Sequence, residues 1–409
     1  MSTDLGTPLP VKQRALPATV WALGLVSMFM DVSSEIVHSL LPVFLVSILG
    51  TSVQMVGLIE GVAEATALIV KVFSGTLSDW LGKRKILALC GYGLGAFSKP
   101  LFALAPSIGL VFGARFVDRI GKGVRGAPRD ALVADVTPPA QRGAAFGLRQ
   151  SLDSVGAFAG PLLAIGLMLL TGDNFRKVFW IAFIPGLLAV LILFLWVKEP
   201  ASSSAKVFSF PFRRHNLARL GTGYWLVVLV GALFTLARFS EAFLLLRAED
   251  LGLRAGLIPL VLVVMNITYS LTAYPVGKLS DRIGRKGLMA VGLLVLIAAD
   301  LLLAGAGNLW WVYAGAGLWG LHLGLTQGLL SALVADAATP ELRGTAFGIF
   351  GLVSGIAILF ASLLAGGLWQ HFGAATTFYG GALISVVALV GFLCTKNNKP
   401  NGLNEKVKL

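Results

Sequence analysis

GTLSDWLGKRK, residues Gly75 to Lys85, returns as GKLSDRIGRKG at Gly277 to Gly287, 202 positions downstream. Two further stretches keep nearly the same register. ALVAD at Ala131 to Asp135 recurs at Ala332 to Asp336, and RGAAFG at Arg142 to Gly147 recurs as RGTAFG at Arg343 to Gly348, both 201 positions on. Three matches in one register make the chain one unit written twice. The composition says what kind of unit. Of 409 residues, 56% are hydrophobic and 13% charged, against roughly 25% charged in a soluble domain. A membrane-spanning helix needs about 20 apolar residues. Such segments fall at 18–48, 53–78, 86–105, 107–135, 143–170, 175–197, 219–247, 255–279, 287–306, 309–335, 344–367 and 373–395. The expected fold is an all-α membrane protein of twelve transmembrane helices in two six-helix pseudo-repeats.

Lysine and arginine sort the loops by side. One side holds Lys12, Arg14, Lys83, Arg84, Lys85, Arg142, Lys198 and Lys206, then Arg213, Arg214, Arg219, Arg282, Arg285, Lys286, Arg343, Lys396 and Lys399. The other holds only Arg176, Lys177, Arg247 and Arg254. Both termini are therefore expected in the cytoplasm of a plasma membrane, of the bacterial inner-membrane type. The basic loops account for the net charge of +13 without nucleic acid. Segment 198–218, with Pro200, Ser202 to Ser204 and Pro211, has linker composition. The expected domains are 1–197 and 219–409, each a six-helix bundle. Lys12 and Arg14 before an apolar run look like a signal peptide, but Asp31 and Glu35 within that run mark a retained first helix. Cys90 and Cys394 lie in apolar runs and suggest neither a disulfide framework nor a metal site.

With these motifs in view, the chain resembles the major facilitator superfamily over nearly its whole length. Gly75-x-Leu77-Ser78-Asp79-x-x-Gly82-Lys83-Arg84 is similar to that family's loop motif between helices 2 and 3. Gly277, Asp281, Arg282 and Gly284 belong to its second copy, between helices 8 and 9. Trp80 stands where the motif usually has Arg. The resemblance implies a conformational latch at Gly75, Asp79, Gly82 and Arg84 and at the second copy. Arg119, Gly123 and Ala127 resemble the helix-4 motif, with Lys122 and Arg125 replacing uncharged residues. Gly156-x-x-x-Gly160-Pro161 resembles the helix-5 motif of the family's antiporters, though Ala164 and Ile165 replace the Gly pair that normally follows. Plain helix packing is the competing reading, since two glycines and a proline allow close approach and a bend.

The fourth span carries Arg115, Asp118, Arg119, Lys122, Arg125, Arg129 and Asp130. At about 100° per residue these fall within an arc of about 140°, opposite Phe116, Ile120, Val124 and Ala127. Charge at membrane depth must face partner helices or a water-filled cavity. Neighbouring spans supply both signs. Asp31, Glu35 and His38 share a face of the first, Glu60, Glu64 and Lys71 a face of the second. Lys99 is on the third, and Arg149 and Asp153 are on the fifth beside Gly156 and Gly160. Acids and bases nearly cancel, so structural ion pairs are one reading, favoured for Arg129 and Asp130. For Asp31, Glu35 and Glu64 proton coupling is expected. Opening a cavity to either side changes a carboxylate's desolvation and its distance from a basic partner, so it can load a proton on one side and release it on the other. Arg125 or Arg149 is the expected counter-charge. Arg119, Glu60, His38 and Asp153 are further candidates for substrate or counter-charge. In the second half, Arg238, Glu241, His322 and Gln327 are candidates for substrate contact.

The function expected is secondary active transport of a small solute or ion by alternating access, proton-coupled and leaning to efflux. Import of an anionic solute and efflux of a transition-metal ion are the transport alternatives. The charge pattern loosely resembles nickel-resistance members of the superfamily, without a His-rich tail. A receptor or scaffold on a transporter fold is the non-transport alternative. No GxxxxGK[ST] phosphate loop is present, and no nucleophile–base pair suggests an enzyme. No cofactor and no resident metal are expected. The expected partners are the solute, protons and the lipid bilayer, for a monomer.

Overall fold

In the computed structural model, residues 16–199, 217, 219–283, 285–339 and 342–394 are described. They form twelve long helical spans, ten of them apolar and long enough by composition alone to cross a membrane. The N-terminal six are α1 (Ala18–Ile48), α2 (Val53–Leu81), α3 (Arg84–Leu104), α4 (Ile108–Val136), α5 (Arg142–Thr171) and α6 (Phe175–Trp196). The C-terminal six are α7 (Thr222–Asp250), α8 (Leu260–Ile283), α9 (Arg285–Ala304), α10 (Leu309–Asp336), α11 (Arg343–Phe372) and α12 (Ala374–Cys394). The two that fail the apolar criterion are α2 and α4, which carry the charged stripes. Of the linker 198–218, only residues 198, 199 and 217 belong with these described segments. Lys12, Arg14, Lys396 and Lys399 also lie outside the described residues.

Local chemistry sets the ends. Ser52 caps α2 by accepting from the Met55 N–H at 3.3 Å, and Gly82 ends it at φ 62°, a left-handed turn that suits glycine. Asn174 caps α6 through the Lys177 N–H. Asn308 caps α10 through Trp310 and Trp311.

Two spans are broken, and at matching places. α1 is regular to His38, turns at Ser39 and Leu40, and resumes at Leu41. Pro42 lacks the N–H that would close a helical turn on the His38 carbonyl, and a wide turn over Phe44–Ile48 follows. α7 is regular to Ala237 and resumes at Ala242. Shifted by the repeat of 201, His38 falls on Phe239, inside that second break.

Packing repeats as the sequence does. Within the first half α1 packs on α5 and α6, α4 on α2 and α3, and α3 on α6. Within the second, α7 packs on α11 and α12, α10 on α8 and α9, and α9 on α12. Between halves, α2 meets α11 and α5 meets α8, a pair of contacts that exchange under the same repeat. At α2–α11 the backbones nearly touch: a Cβ on Gly57 would lie 2.4 Å from the Ser362 carbonyl oxygen. Leucine, phenylalanine and tryptophan cover the outer face, among them Leu170, Phe194, Leu271, Trp310 and Phe372, as a lipid-facing shell requires.

Candidate functional site

The halves separate toward the end that carries the basic loops. A cavity of about 1330 Å³ runs between them from Glu35, His38 and Glu241 to Gly75, Asp79 and Thr345. At the opposite end the halves are joined. Arg254 pairs with Asp173 at 2.9 Å, Ser47 of α1 donates to Glu249 of α7, and Asn266 donates to the Ala157 carbonyl at 3.2 Å.

The stripe on α4 meets its complement. Arg115 Nη2 lies 2.7 Å from Glu60 Oε2, both essentially buried. Arg119 reaches Glu64 at 3.1 Å and Asp118 at 3.4 Å. Asp118 takes the Lys99 ammonium at 2.6 Å, and Lys99 also donates to Ser34. His38 closes the chain toward the cavity, with Nδ1 3.4 Å from Glu35 and Nε2 3.7 Å from Glu60. One continuous network therefore joins the break in α1 to α2, α4 and α3. Removing one member of such a buried pair is costly, because its partner is left charged and unmatched.

A second network lies nearer the basic-loop end. Arg149 pairs with Asp153 at 2.6 Å and approaches Asp130 at 3.7 Å. Arg129 pairs with Asp130 at 3.0 Å and donates to Ser27, the structural role expected of those two residues. Arg125 is buried and stacks over the Tyr92 ring at 5.1 Å.

The candidate residues thus divide. Glu35, His38, Glu64, Arg119, Arg238, Glu241 and Gln327 line the cavity. Asp31, Glu60, Arg125, Arg149, Asp153 and His322 are not on its wall. His322 is buried and bonded to the Gly292 carbonyl at 2.8 Å. Asp31 shares a helix face with Glu35, but that face abuts α5. A Cβ on Gly156 would lie 2.9 Å from Asp31 Cβ, and one on Gly160 only 2.5 Å from Glu35 Cβ. Pro161 lies within the same helix. The helix-5 glycines and the α1 carboxylates are therefore one contact.

Sequence reasoning missed Lys71 and Lys122 as wall residues, although the shared arc of Glu64 and Lys71 was the signal. At the basic-loop end, Arg84 bridges Asp79 at 3.3 Å and Asp135 at 2.8 Å, while Glu199 accepts from the Arg84 and Lys85 N–H groups. Arg285 forms with Asp336 the pair equivalent to Arg84–Asp135. Gly277 has open space around it. The side chains of Asp281 and Arg282, and all of Gly284, lie outside the described residues. Among the described residues no group of three His, Cys, Asp or Glu side chains converges on a metal position.

Comparison with known proteins gives this architecture its relatives. A family model described as Major Facilitator Superfamily matches residues 23–247 and 226–408. An uncharacterised MFS-type transporter of Methanocaldococcus jannaschii is 34% identical over 387 residues, covering 92% of this chain and 95% of that one. The quinolone resistance protein NorA of Staphylococcus aureus is 27% identical over 173 residues, 42% of this chain and 43% of its own. A mutant of the nucleoside transporter NupG superposes with a TM-score of 0.77 at 14% identity, covering 92% of this chain and 99% of that one, which shows the shared fold. On the repeat, the matched packing of its two halves and these alignments, the chain is a multi-pass membrane transporter and belongs to the major facilitator superfamily.

Proposed function

We propose that this protein is a proton-coupled secondary transporter and that His38 carries the coupling proton. The observation that carries this reading is the place of His38 at the break in α1, between Glu35 on the cavity wall and buried Glu60. Charge balance supports it. Glu35, Glu60, Glu64 and Asp118 bring four negative charges to the network, against three positive on Lys99, Arg115 and Arg119. A protonated imidazole makes the network neutral, and a neutral one leaves it one charge short. In a medium of low dielectric such an imbalance is strongly disfavoured. It can be tolerated when the cavity admits water, so opening and closing exchange the proton. Glu35 and Glu64 tune that exchange; Asp31 acts from behind, through the α1–α5 contact.

We read the open end as cytoplasmic, a reading the basic loops support, and on it this is the inward-open state of a plasma-membrane transporter that works as a monomer. Asp79 pairs with Arg84 of its own half here, as an unlatched loop would. The direction we favour is efflux by antiport, supported by the Gly156–Gly160 contact and by the partial likeness to a resistance protein. The test is accumulation of metal ions, organic cations and organic anions in cells expressing wild type, His38→Gln or Asp31→Asn, with and without protonophore. Wild type should lower accumulation of one class, and both protonophore and His38→Gln should abolish the difference. Protonophore-sensitive transport that survives His38→Gln refutes the assignment.

A further inference from the structure

Not every charge on the cavity wall has a partner. Glu64 holds Arg119, Glu35 holds His38 and Asp79 holds Arg84. Lys71, Lys122 and Arg238 also line the cavity, and their side chains make no hydrogen bond or ion pair within 4.0 Å among the described residues. Among the described residues, the one unmatched carboxylate on the wall is Glu241. The stem of Lys71 lies over Gly126, with Cε 3.5 Å from the position of a Cβ there, and the residue is exposed on the cavity wall. The unmatched groups sum to a positive wall, and they come from both halves: Lys71 and Lys122 from the first, Arg238 from the second.

We propose that the solute is an amphipathic organic anion, its negative charge received by Lys71, Lys122 and Arg238. A cation or divalent metal entering this space would meet three unmatched positive charges against the single carboxylate of Glu241, a net repulsion that selects against it. An anion gains charge-assisted hydrogen bonds in a site walled by low dielectric. The body of the solute is met by Phe234, Phe239, Phe347 and Phe350, and Glu241 accepts from a donor group on it. The same arrangement couples binding to motion. In the empty cavity, closure brings Lys71 and Lys122 toward Arg238, and like charges oppose it. A bound anion removes that cost, so it interacts more favourably with the closed arrangement than with the open one, as any ligand that shifts such an equilibrium must. The inference rests on the cavity being the transport path and not on the proton residing at His38.

The experiment is thermal unfolding of the full-length protein in nanodiscs of uncharged lipid, with four probes that share one ring. These are benzoate, phenyl phosphate, benzylamine and benzyl alcohol at millimolar concentration. The two anions should raise the melting temperature and the other two should not; the larger response tells carboxylate from phosphate ester. Lys122→Gln combined with Arg238→Gln should weaken anion binding at least tenfold, and Lys122→Arg should retain it. If the double variant does not fold, Lys71→Gln carries the same expectation. Equal stabilisation by benzylamine or benzyl alcohol, no response to either anion, or an anion response that persists in the Gln variants overturns the proposal. Anion binding with coupling unaffected by His38→Gln would sink the proton assignment alone. Protonophore-sensitive transport of a cation would sink the anion alone.

Discussion

Gly160→Ala tests whether the helix-5 motif is joined to the coupling site. The added Cβ would stand 2.5 Å from Glu35 Cβ and 3.2 Å from the Val32 carbonyl oxygen. Ordinary contact begins near 3.4 Å, so α1 and α5 must part by about 0.9 Å at this point. The obstruction is the root of a side chain and the backbone beside it, neither of which can swing aside. Overpacking of this kind costs about 1–3 kcal/mol. The displacement also strains the His38–Glu35 contact, which at 3.4 Å is already at the limit of a hydrogen bond. Gly166 on the same helix is the control, since nothing lies within 4 Å of its Cβ position. There alanine should be neutral or stabilise by up to about 1 kcal/mol through helix propensity. The assay is the melting temperature of both variants in nanodiscs, with protonophore-sensitive transport measured in parallel. Gly160→Ala should lose several degrees and most coupled transport, and Gly166→Ala should lose neither. If Gly160→Ala melts and transports as wild type does, the close contact and its link to Glu35 are refuted.

Glu60→Gln leaves buried Arg115 without its 2.7 Å partner and should cost about 3–5 kcal/mol; adding Arg115→Gln should recover part of that loss, and a double-mutant cycle with no coupling would contradict the pair. Arg254→Ala removes an exposed pair worth at most about 1 kcal/mol of stability. It should nonetheless shift spin-label distances across the joined end toward separation, because Arg254–Asp173 spans the two halves; unchanged distances would show that the pair is not a clasp. Asp300 is fully buried against Gly381 and Phe239, and neither carboxylate oxygen has a hydrogen-bond partner. An unsatisfied buried group costs about 1–3 kcal/mol, so Asp300→Ala should raise the melting temperature, and a fall would mean that the carboxyl is satisfied in the membrane.

The architecture was legible because it is written twice and because hydropathy marks each span. The α4 stripe was legible for the same kind of reason, since seven charges on one arc demand partners. What periodicity does not reveal is which neighbour a face meets. Asp31 and Glu35 lie one turn apart, yet Asp31 turns toward Gly156 of α5 while Glu35 reaches the cavity wall. Lys99 and Lys71 looked equivalent as bases at membrane depth; one is bound to Asp118 and the other has no such partner. The breaks in α1 and α7 were hidden too. Pro42 was the local sign of the first, but no proline stands in Arg238 to Glu241.

The charge pairing of α4 has a consequence for how the protein is made. By composition α4 does not qualify as a membrane span, and neither does α2. Alone in the bilayer, α4 would expose Arg115, Asp118 and Arg119 to hydrocarbon, a penalty of about 2.5–3.5 kcal/mol for each such residue even on the most lenient scales. The partners of these three on other helices, however, are synthesised first: Glu60, Glu64 and Lys99 precede α4 in the chain. When α4 leaves the ribosome, the groups that neutralise it are already at the insertion site. Order of synthesis thus acts as a chaperone for this helix. A circular permutation that begins the chain at α4 would keep every contact of the finished structure and still be expected to fail at insertion.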